Sequence, residues 1–194
     1  SRSEETLIQM IEQDLAPNVY SFNSLLAACV EASDVPTAQK WFSRMAEAGV
    51  SADAVTYRTI IAACSRAGNL PLSEEWLQKM VAASHALDVV SCSSLVSGYA
   101  ASGDAVSAER WMSRMFDASL SPGRAAFDPL IRAWAGGDVS SAQPWRAEGW
   151  LWKAIEAGVR PTDAALQAVL AAYVRAEDQQ GIDRAVAALR RLDR

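Results

Sequence analysis

Histidine, cysteine and long apolar runs are all scarce in this sequence of 194 residues. It has one histidine, His85, and three cysteines, and no CxxC or HxxxH pair offers the ligand spacing of a zinc site. Three cysteines cannot form a complete set of disulfides, so nothing indicates an oxidising compartment. Small and charged residues interrupt every helical stretch, so no run could span a membrane. We therefore predict no metal, no cofactor and no membrane span.

One residue pattern recurs every 35 residues, and this predicts a stack of like units, a solenoid. The residues that keep the step best are Trp41, Trp76 and Trp111, followed by Met45, Met80 and Met115. The predicted organisation is one repeat domain over 1–194, made of 1–18 (the second helix of a truncated repeat), 19–53, 54–88, 89–123, 124–162 and 163–194. The unit 124–162 has a four-residue insertion and the last unit is incomplete. Because the chain begins inside a repeat and at Ser1, we expect an excerpt of a longer protein.

Each unit is predicted to form two helices. The first helix carries an apolar pair at helical spacing from an upstream apolar residue; the pairs are Leu25-Leu26, Ile60-Ile61, Leu95-Val96, Leu130-Ile131 and Val169-Leu170. Glycine then ends the first helix and Asn or Asp caps the second; these breaks are Gly68-Asn69, Ser102-Gly103-Asp104 and Gly136-Gly137-Asp138. The prediction is an all-α solenoid of about eleven helices in an open right-handed superhelix, with the recurring tryptophans in its core.

Several motifs stand in register with this period. They are Val55-Thr56-Tyr57, Ser65-Arg66-Ala67-Gly68, Trp41-Phe42 with Met45, and Gly49-Val50 with Asp53. Together they resemble the pentatricopeptide repeat over essentially the whole chain, whereas tetratricopeptide repeats have a period of roughly 34 residues and a tryptophan in the first helix. The resemblance implies a nuclear-encoded α-solenoid of mitochondria or chloroplasts that binds single-stranded RNA, one base per repeat.

The resemblance also implies roles for individual repeat positions. The fifth and last residues of a unit would read a base, and the pairs are Asn23 with Asp53, Arg58 with Asp88, Ser93 with Gly123, Asp128 with Thr162, and Gln167 without a partner in the chain. The second residue would wedge between bases: Tyr20, Val55, Val90, Ala125 and Ala164. A cation late in the first helix would meet phosphate, and only Arg66 and Arg175 supply one. The pair Asn23 and Asp53 is common in the family and is associated with uracil.

The charge balance argues against a strong affinity for phosphate backbones. The whole chain has a net charge of -5. The predicted first helices carry five cations (Arg58, Arg66, Arg124, Arg132, Arg175) and four anions (Glu31, Asp128, Asp163, Glu177), and five minus four leaves only +1. Asp128, as an acidic reading residue, would repel a phosphate.

Two tryptophans fall outside the recurring pattern. Trp145 is assigned to the insertion Gln143–Arg146, and Trp152 takes a helix position that is polar in the other units. Large aromatic residues on a polar face are favoured anchors of protein interfaces. The alternative is that Trp145 folds back over the core of its own unit.

Catalytic motifs are missing. The sequence has no nucleophile elbow, glycine-rich phosphate loop or ligand triad. His85 occupies a position that is apolar in the sister units, so its ring is expected to pack. The recurring carboxylates Glu74, Glu75, Glu109 and Glu148 are expected to form a solvated face of the second helices. The chain is predicted not to be an enzyme.

Two functions remain after these exclusions. The favoured one is a scaffold, an accessory or assembly subunit that contacts other proteins in a large photosynthetic, respiratory or ribosomal complex of an organelle, without forming a homo-oligomer. The alternative is binding of single-stranded RNA for organelle RNA processing, stability or translation. The acidic charge and the two additional tryptophans favour the first, and the family resemblance favours the second.

Overall fold

A computed structural model of the chain describes residues 17–32, 34–136 and 143–192. All regular structure within these ranges is α-helical, in ten helices: α1 (Val19–Glu31), α2 (Val35–Glu47), α3 (Ala54–Arg66), α4 (Leu70–Ala82), α5 (Val89–Ala101), α6 (Ala105–Asp117), α7 (Arg124–Ala135), α8 (Pro144–Glu156), α9 (Asp163–Arg175) and α10 (Gln179–Leu192). The prediction of an all-α repeat solenoid is confirmed. The helix expected within 1–18 falls almost entirely outside the described residues. Of the helices described, none has the length and apolar character needed to cross a bilayer.

The helices form two compact units, residues 1–95 and 96–194, with the boundary inside α5. In the first unit α1 contacts α2 and α3, and α3 contacts α4. In the second unit α7 contacts α6, α8 and α9, and α9 contacts α8 and α10. A first helix therefore packs against its own second helix and against the next first helix, which is the neighbour-to-neighbour packing of a repeat stack.

The recurring tryptophans are core residues, as the sequence predicts. Trp41, Trp76, Trp111 and Trp150 are each at most 4% exposed. In each of these helices a cation three residues later lies over the indole ring, at 4.0–5.0 Å from its centroid; these cations are Arg44, Lys79, Arg114 and Lys153. The i, i+3 spacing places both side chains on one helix face, so the long cationic side chain shields the edge of the buried ring from water.

The second helices of the first three complete repeats begin in the same way; Asn69 and Asp104 are the predicted caps, and Asp34 is a cap that was not predicted. Asp34, Asn69 and Asp104 each accept a hydrogen bond from the backbone N–H three residues later, which satisfies one unpaired donor of the helix start. Gly68 and Gly103, which end the preceding helices, have φ values of 75° and 82° that favour glycine.

The fourth unit departs from this prediction. Helix α8 starts at Pro144, and Gln143 stands at its N-cap position without a side-chain cap. The expected cap, Asp138, lies outside the described residues. Gly136 has φ −79°, so it does not supply the left-handed turn. Gln143 stands seven residues before Trp150, as Asp104 stands before Trp111, so the four additional residues precede Gln143. Trp145 is therefore the second residue of a regular helix and not part of the insertion.

Glu148 is also not on a solvated face, which corrects another expectation. It is 8% exposed, and it accepts hydrogen bonds from the hydroxyl of Tyr173 on α9 and from Arg184 Nε on α10 at 3.1 Å. A buried carboxylate is tolerated only when it is paired in this way. Burial, reinforced by the hydrogen bond to Glu148, raises the pKa of Tyr173 to about 12, so its hydroxyl stays protonated and remains a donor. The three side chains tie together the last three helices.

Two glycines in α8 and α10 provide a matched test of this packing. A Cβ on Gly181 would overlap the ring of Tyr173, whereas a Cβ on Gly149 would meet no atom within 4 Å. We expect Gly181→Ala to lower the free energy of unfolding by about 1–3 kcal/mol through overpacking. Gly149→Ala should raise it by about 0.5–1 kcal/mol because alanine is the better helix former. Urea unfolding followed by circular dichroism measures both, and equal stabilisation by the two substitutions would contradict the packing.

Candidate functional site

Asn23 and Asp53, the predicted reading pair of the first complete repeat, are in direct contact. The side-chain amide of Asn23, in the first turns of α1, donates a hydrogen bond to Asp53 Oδ1 at 3.2 Å. The hydroxyl of Thr56 lies 2.7 Å from Asn23 Oδ1 and 2.9 Å from Asp53 Oδ1. Because α1 packs against α3, a residue of each helix can meet at the start of α3. The result is a half-buried polar cluster that bridges two repeats.

Asp53 is also the N-cap of α3, so its carboxylate has a structural task. Its Oδ1 accepts from the backbone N–H of Thr56 at 2.8 Å, and the Thr56 hydroxyl accepts from the backbone N–H of Asp53, which together make a capping box. Partial burial alone would raise the pKa of Asp53. The hydrogen bonds from Thr56 and Asn23 outweigh this effect and lower the pKa, which keeps the carboxylate ionised.

Exposed apolar side chains flank this cluster. Tyr20 on α1 is 76% exposed and Val55 on α3 is 44% exposed. Each is the second residue of its helix, the position expected to wedge between bases, and Val90 repeats the arrangement on α5 at 55% exposed. Half-buried Arg58 follows on α3. We call the set Tyr20, Asn23, Asp53, Val55, Thr56 and Arg58 the first-unit site.

The other predicted reading residues are placed less favourably for a ligand. Asp88 caps α5 by accepting from the backbone N–H of Ser91 at 2.8 Å. Ser93 and Asp128 are each 8% exposed, and Asp128 Oδ1 accepts from the backbone N–H of Thr162 at 3.3 Å. The Asp128 carboxylate is thus turned into the protein, while Gln167 on α9 is exposed. In the first unit, the structure brings the two residues of one predicted reading pair, Asn23 and Asp53, into contact.

The two phosphate candidates differ in what they contact. Arg66 is exposed at the end of α3. Arg175 is exposed too, but its guanidinium donates to the carbonyl of Ala135 at 2.6 Å and so satisfies the C-terminus of α7. Arg124, another of the cations counted above, donates to the carbonyl of Arg160 at 3.0 Å. Part of the cationic charge of the second unit is therefore engaged with its own backbone.

Trp145 does not fold back over its own core, because 61% of the residue is exposed. The guanidinium of Arg146 lies over the rings of both Trp145, at 5.2 Å, and buried Trp134, at 4.5 Å. Arg146 also contacts Glu109 of α6 at 3.4 Å. Trp152 is half-buried on the same helix. Arg146 was not predicted as a site residue, although an arginine next to a tryptophan is a frequent cation–π pair.

The side chains of His85 and Cys64 are both packed against other parts of the protein. Within the described residues, no group of three His, Cys, Asp or Glu side chains could hold a metal ion. The ring of His85 packs against Tyr57 with centroids 5.5 Å apart, as expected for a packing residue. Burial raises the pKa of the Cys64 thiol to about 11, which keeps it protonated and weakly nucleophilic at neutral pH.

Family models of one kind match most of the chain. The PPR repeat family matches residues 17–66, the PPR repeat matches 55–84, and the pentatricopeptide repeat domain matches 75–137. These matches run without a gap from the start of the described residues to the end of α7. No curated protein sequence is significantly similar to the chain.

Solved structures with the same architecture include RNA complexes. The pentatricopeptide repeat protein PPR10 from maize has a TM-score of 0.79 at 20% identity over 97% of this chain and 26% of its own. PPR10 in complex with an 18-nt psaJ RNA element gives 0.76 at 20% identity, over 96% and 27%. The PPR domain of Arabidopsis thaliana protein-only RNase P 1 in complex with tRNA gives 0.73 at 17% identity, over 88% of each chain. The chain spans about a quarter of the length of PPR10.

The double role of Asp53 generates a stability prediction. Its lowered pKa lies below the usual 3.8, so its stabilisation is complete above about pH 4 and is lost as the pH falls through the folded-state pKa. At pH 7 we expect Asp53→Ala to lower the free energy of unfolding by about 1 kcal/mol, because the cap is lost. The deficit should shrink as the pH falls below the usual 3.8 and through the lowered folded-state pKa.

Asp53→Asn is the matched control, because asparagine caps a helix about as well as aspartate but carries no charge. Urea unfolding of both variants across this pH range measures the effect. Equal destabilisation by Ala and Asn at pH 7 would assign the effect to charge and not to capping.

Proposed function

Because the chain belongs to the pentatricopeptide repeat family, we propose that it is a non-catalytic repeat domain that binds single-stranded RNA through the first-unit site. The observation that carries the proposal is the Asn23–Asp53 contact. An asparagine amide has two N–H donors, and one of them is directed to Asp53. This contact fixes the orientation of the amide, so that the second donor can address an acceptor on a base edge.

The exposed apolar residues support a stacking role beside this donor. Tyr20 lies one turn before Asn23 on α1, and Val55 lies two residues after Asp53 on α3. The two helices that supply the polar pair therefore also supply an exposed aromatic and an exposed aliphatic side chain. Aromatic rings bind single-stranded bases by stacking without requiring a particular sequence, at about 1–3 kcal/mol per base. The hydrogen bond from Asn23 and the stacking contacts of Tyr20 and Val55 would thus act on the same base.

The charges around the site support an RNA contact of moderate electrostatic strength. Arg58 and Arg66, both on α3, are the cations of the described first helices in this unit. Asp53 is engaged with a helix start and with Asn23, so its carboxylate is compensated by three donors. In the second unit, the acidic reader Asp128 is withdrawn from solvent. The repulsion of phosphates that was expected from Asp128 is therefore smaller.

Relatives support the same function without deciding it. Two structures with this architecture are described as complexes with RNA. At 17–20% identity, the likeness shows a shared fold, and it does not show that this chain binds the same RNAs. The sequence alone favoured a protein scaffold in an organelle complex, and the geometry of the first-unit site moves our preference to RNA. Contact with proteins remains the second candidate, favoured by exposed Trp145, and an organellar location is part of either proposal.

Fluorescence anisotropy with labelled single-stranded homopolymers tests the RNA proposal. We expect binding to oligouridine, and a loss of about tenfold for Asn23→Ala and for Tyr20→Ala. Ser43→Ala is the control, because Ser43 is exposed on a second helix and its hydroxyl contacts only the carbonyl of Gln39. Absence of binding to every homopolymer, or an equal loss in the control, would refute the proposal.

The salt dependence provides a separate prediction. If Arg58 and Arg66 each neutralise one phosphate, the slope of log K against log salt should be about −1.4, since each single-strand contact contributes about −0.7. Arg66→Ala should reduce the magnitude of the slope by about 0.7. An unchanged slope would place the phosphate contacts elsewhere.

A further inference from the structure

An aromatic stripe distinguishes α8 from every other second helix. Trp145, Gly149 and Trp152 stand at i, i+4 and i+7, so they share one face of the helix. At 1.5 Å per residue the two tryptophans are about 10 Å apart along the axis. The same stripe reads Pro36, Lys40 and Ser43 in α2, Pro71, Glu75 and Gln78 in α4, and Val106, Arg110 and Ser113 in α6. Two indoles have replaced small, apolar or polar side chains in one repeat only.

The helix surface is open at Gly149, which lies between the two tryptophans along the stripe. Trp145 is 61% exposed, Trp152 is half-buried, and the space above Gly149 contains no atom within 4 Å of a Cβ. Glycine removes the side chain that would fill this gap and lets another molecule approach the helix backbone. Val106 on neighbouring α6, 65% exposed, extends the apolar surface, since α6 and α8 are joined by the Arg146–Glu109 ion pair.

Basic side chains border this apolar surface. Exposed Lys153 follows Trp152 directly and lies one turn after Gly149, and its ammonium group is over the indole of Trp150. Arg146 borders Trp145, and the carboxylate beside it, Glu109, is paired with it. Asp117 and Glu156 are the last residues of α6 and α8, at the far end of the surface. The part around the indoles is therefore apolar with a basic border.

We propose that this surface is a docking site for an acidic segment of another protein. We define the tryptophan face as Val106, Trp145, Gly149 and Trp152 with Arg146 and Lys153. A bulky apolar side chain of the partner enters the gap above Gly149, between Trp145 and Trp152. Carboxylates next to that residue in the partner meet Arg146 and Lys153. Buried tryptophans at the centre of an interface with a charged rim are the usual anchors of protein binding.

The geometry favours a protein segment over RNA on this face. One side of the Trp145 ring is covered by Arg146, and Trp152 is half-buried, so the pair does not provide two open stacking platforms. A second copy of the chain is disfavoured as well. A symmetric pair of tryptophan faces would bring like charges together.

Selection from a random peptide display library with the full chain as bait tests the proposal, with elution of binders followed by sequencing. We expect enrichment of peptides that combine Asp or Glu with Trp, Phe or Leu. Trp145→Val restores the residue of the preceding repeat, and Gly149→Glu fills the gap with the residue that α4 has at this position, Glu75, and also repels an acidic peptide. Each should weaken binding of an enriched peptide by roughly 30-fold or more, as expected for a central anchor. Circular dichroism confirms that each variant is folded.

Tyr20→Ala is the matched control, since it removes an exposed aromatic side chain from the first unit. It should leave peptide binding unchanged. The proposal would be overturned if no peptides were enriched or if the enriched peptides were basic. It would also be overturned if Trp145→Val bound the enriched peptides as tightly as the unaltered chain does. A loss of RNA affinity in Trp145→Val would assign the face to RNA, and a self-association lost in this variant would assign it to a second copy. Either result would also overturn the docking proposal. The RNA proposal is tested by substitutions of Asn23 and Tyr20, so one proposal can fail without the other.

Discussion

The burial of one recurring indole in each of the four complete repeats is the interaction on which this structure depends. A two-helix repeat cannot bury its apolar face alone, so each unit gains a core only by packing against its neighbour. A tryptophan removes about 150–250 Å² from water, which at about 25 cal/mol per Å² is an upper contribution of about 4–6 kcal/mol for each ring. Trp41 and Trp76 gain this although their indole nitrogens have no hydrogen-bond partner among the described residues. Such an orphan donor costs about 1–3 kcal/mol, so apolar burial outweighs the unmet polar group.

Features that depend on local spacing could be predicted from the sequence, and features that depend on distant partners could not. The cores around Trp41 and Trp76 follow from periodicity, and the caps Asn69 and Asp104 follow from a bond to a residue three positions away. Glu148 was misjudged because its partners Tyr173 and Arg184 are 25 and 36 residues distant. The start of α8 at Pro144 was not foreseen because an insertion breaks the register that the periodicity supplies.

In the candidate site, too, the contacts between residues far apart in the sequence are the part that could not be predicted. The family resemblance predicted Asn23 and Asp53 as a reading pair, and the family itself is confirmed by the repeat models. The contribution of Thr56 to the cluster was not foreseen, because its hydroxyl meets an asparagine 33 residues away. The sequence also could not distinguish Asp53, which is held at the surface by a paired amide, from Asp128, which is turned into the protein. Burial, and not residue type, separates a reading position that could meet a ligand from one that could not.

The capping role of Asp53 has a consequence for how such a repeat can change its ligand. The carboxylate that would select a base also begins a helix, and Asn23 meets it from the preceding repeat. A substitution that altered base preference here would therefore alter the start of α3 and its packing on α1 at the same time. Residues that can cap a helix form a short list, Ser, Thr, Asp, Asn and Gly. The residue types that can stand at this position are thus limited to those that keep α3 stable. Changes in base preference here would therefore occur by exchange of one capping residue for another.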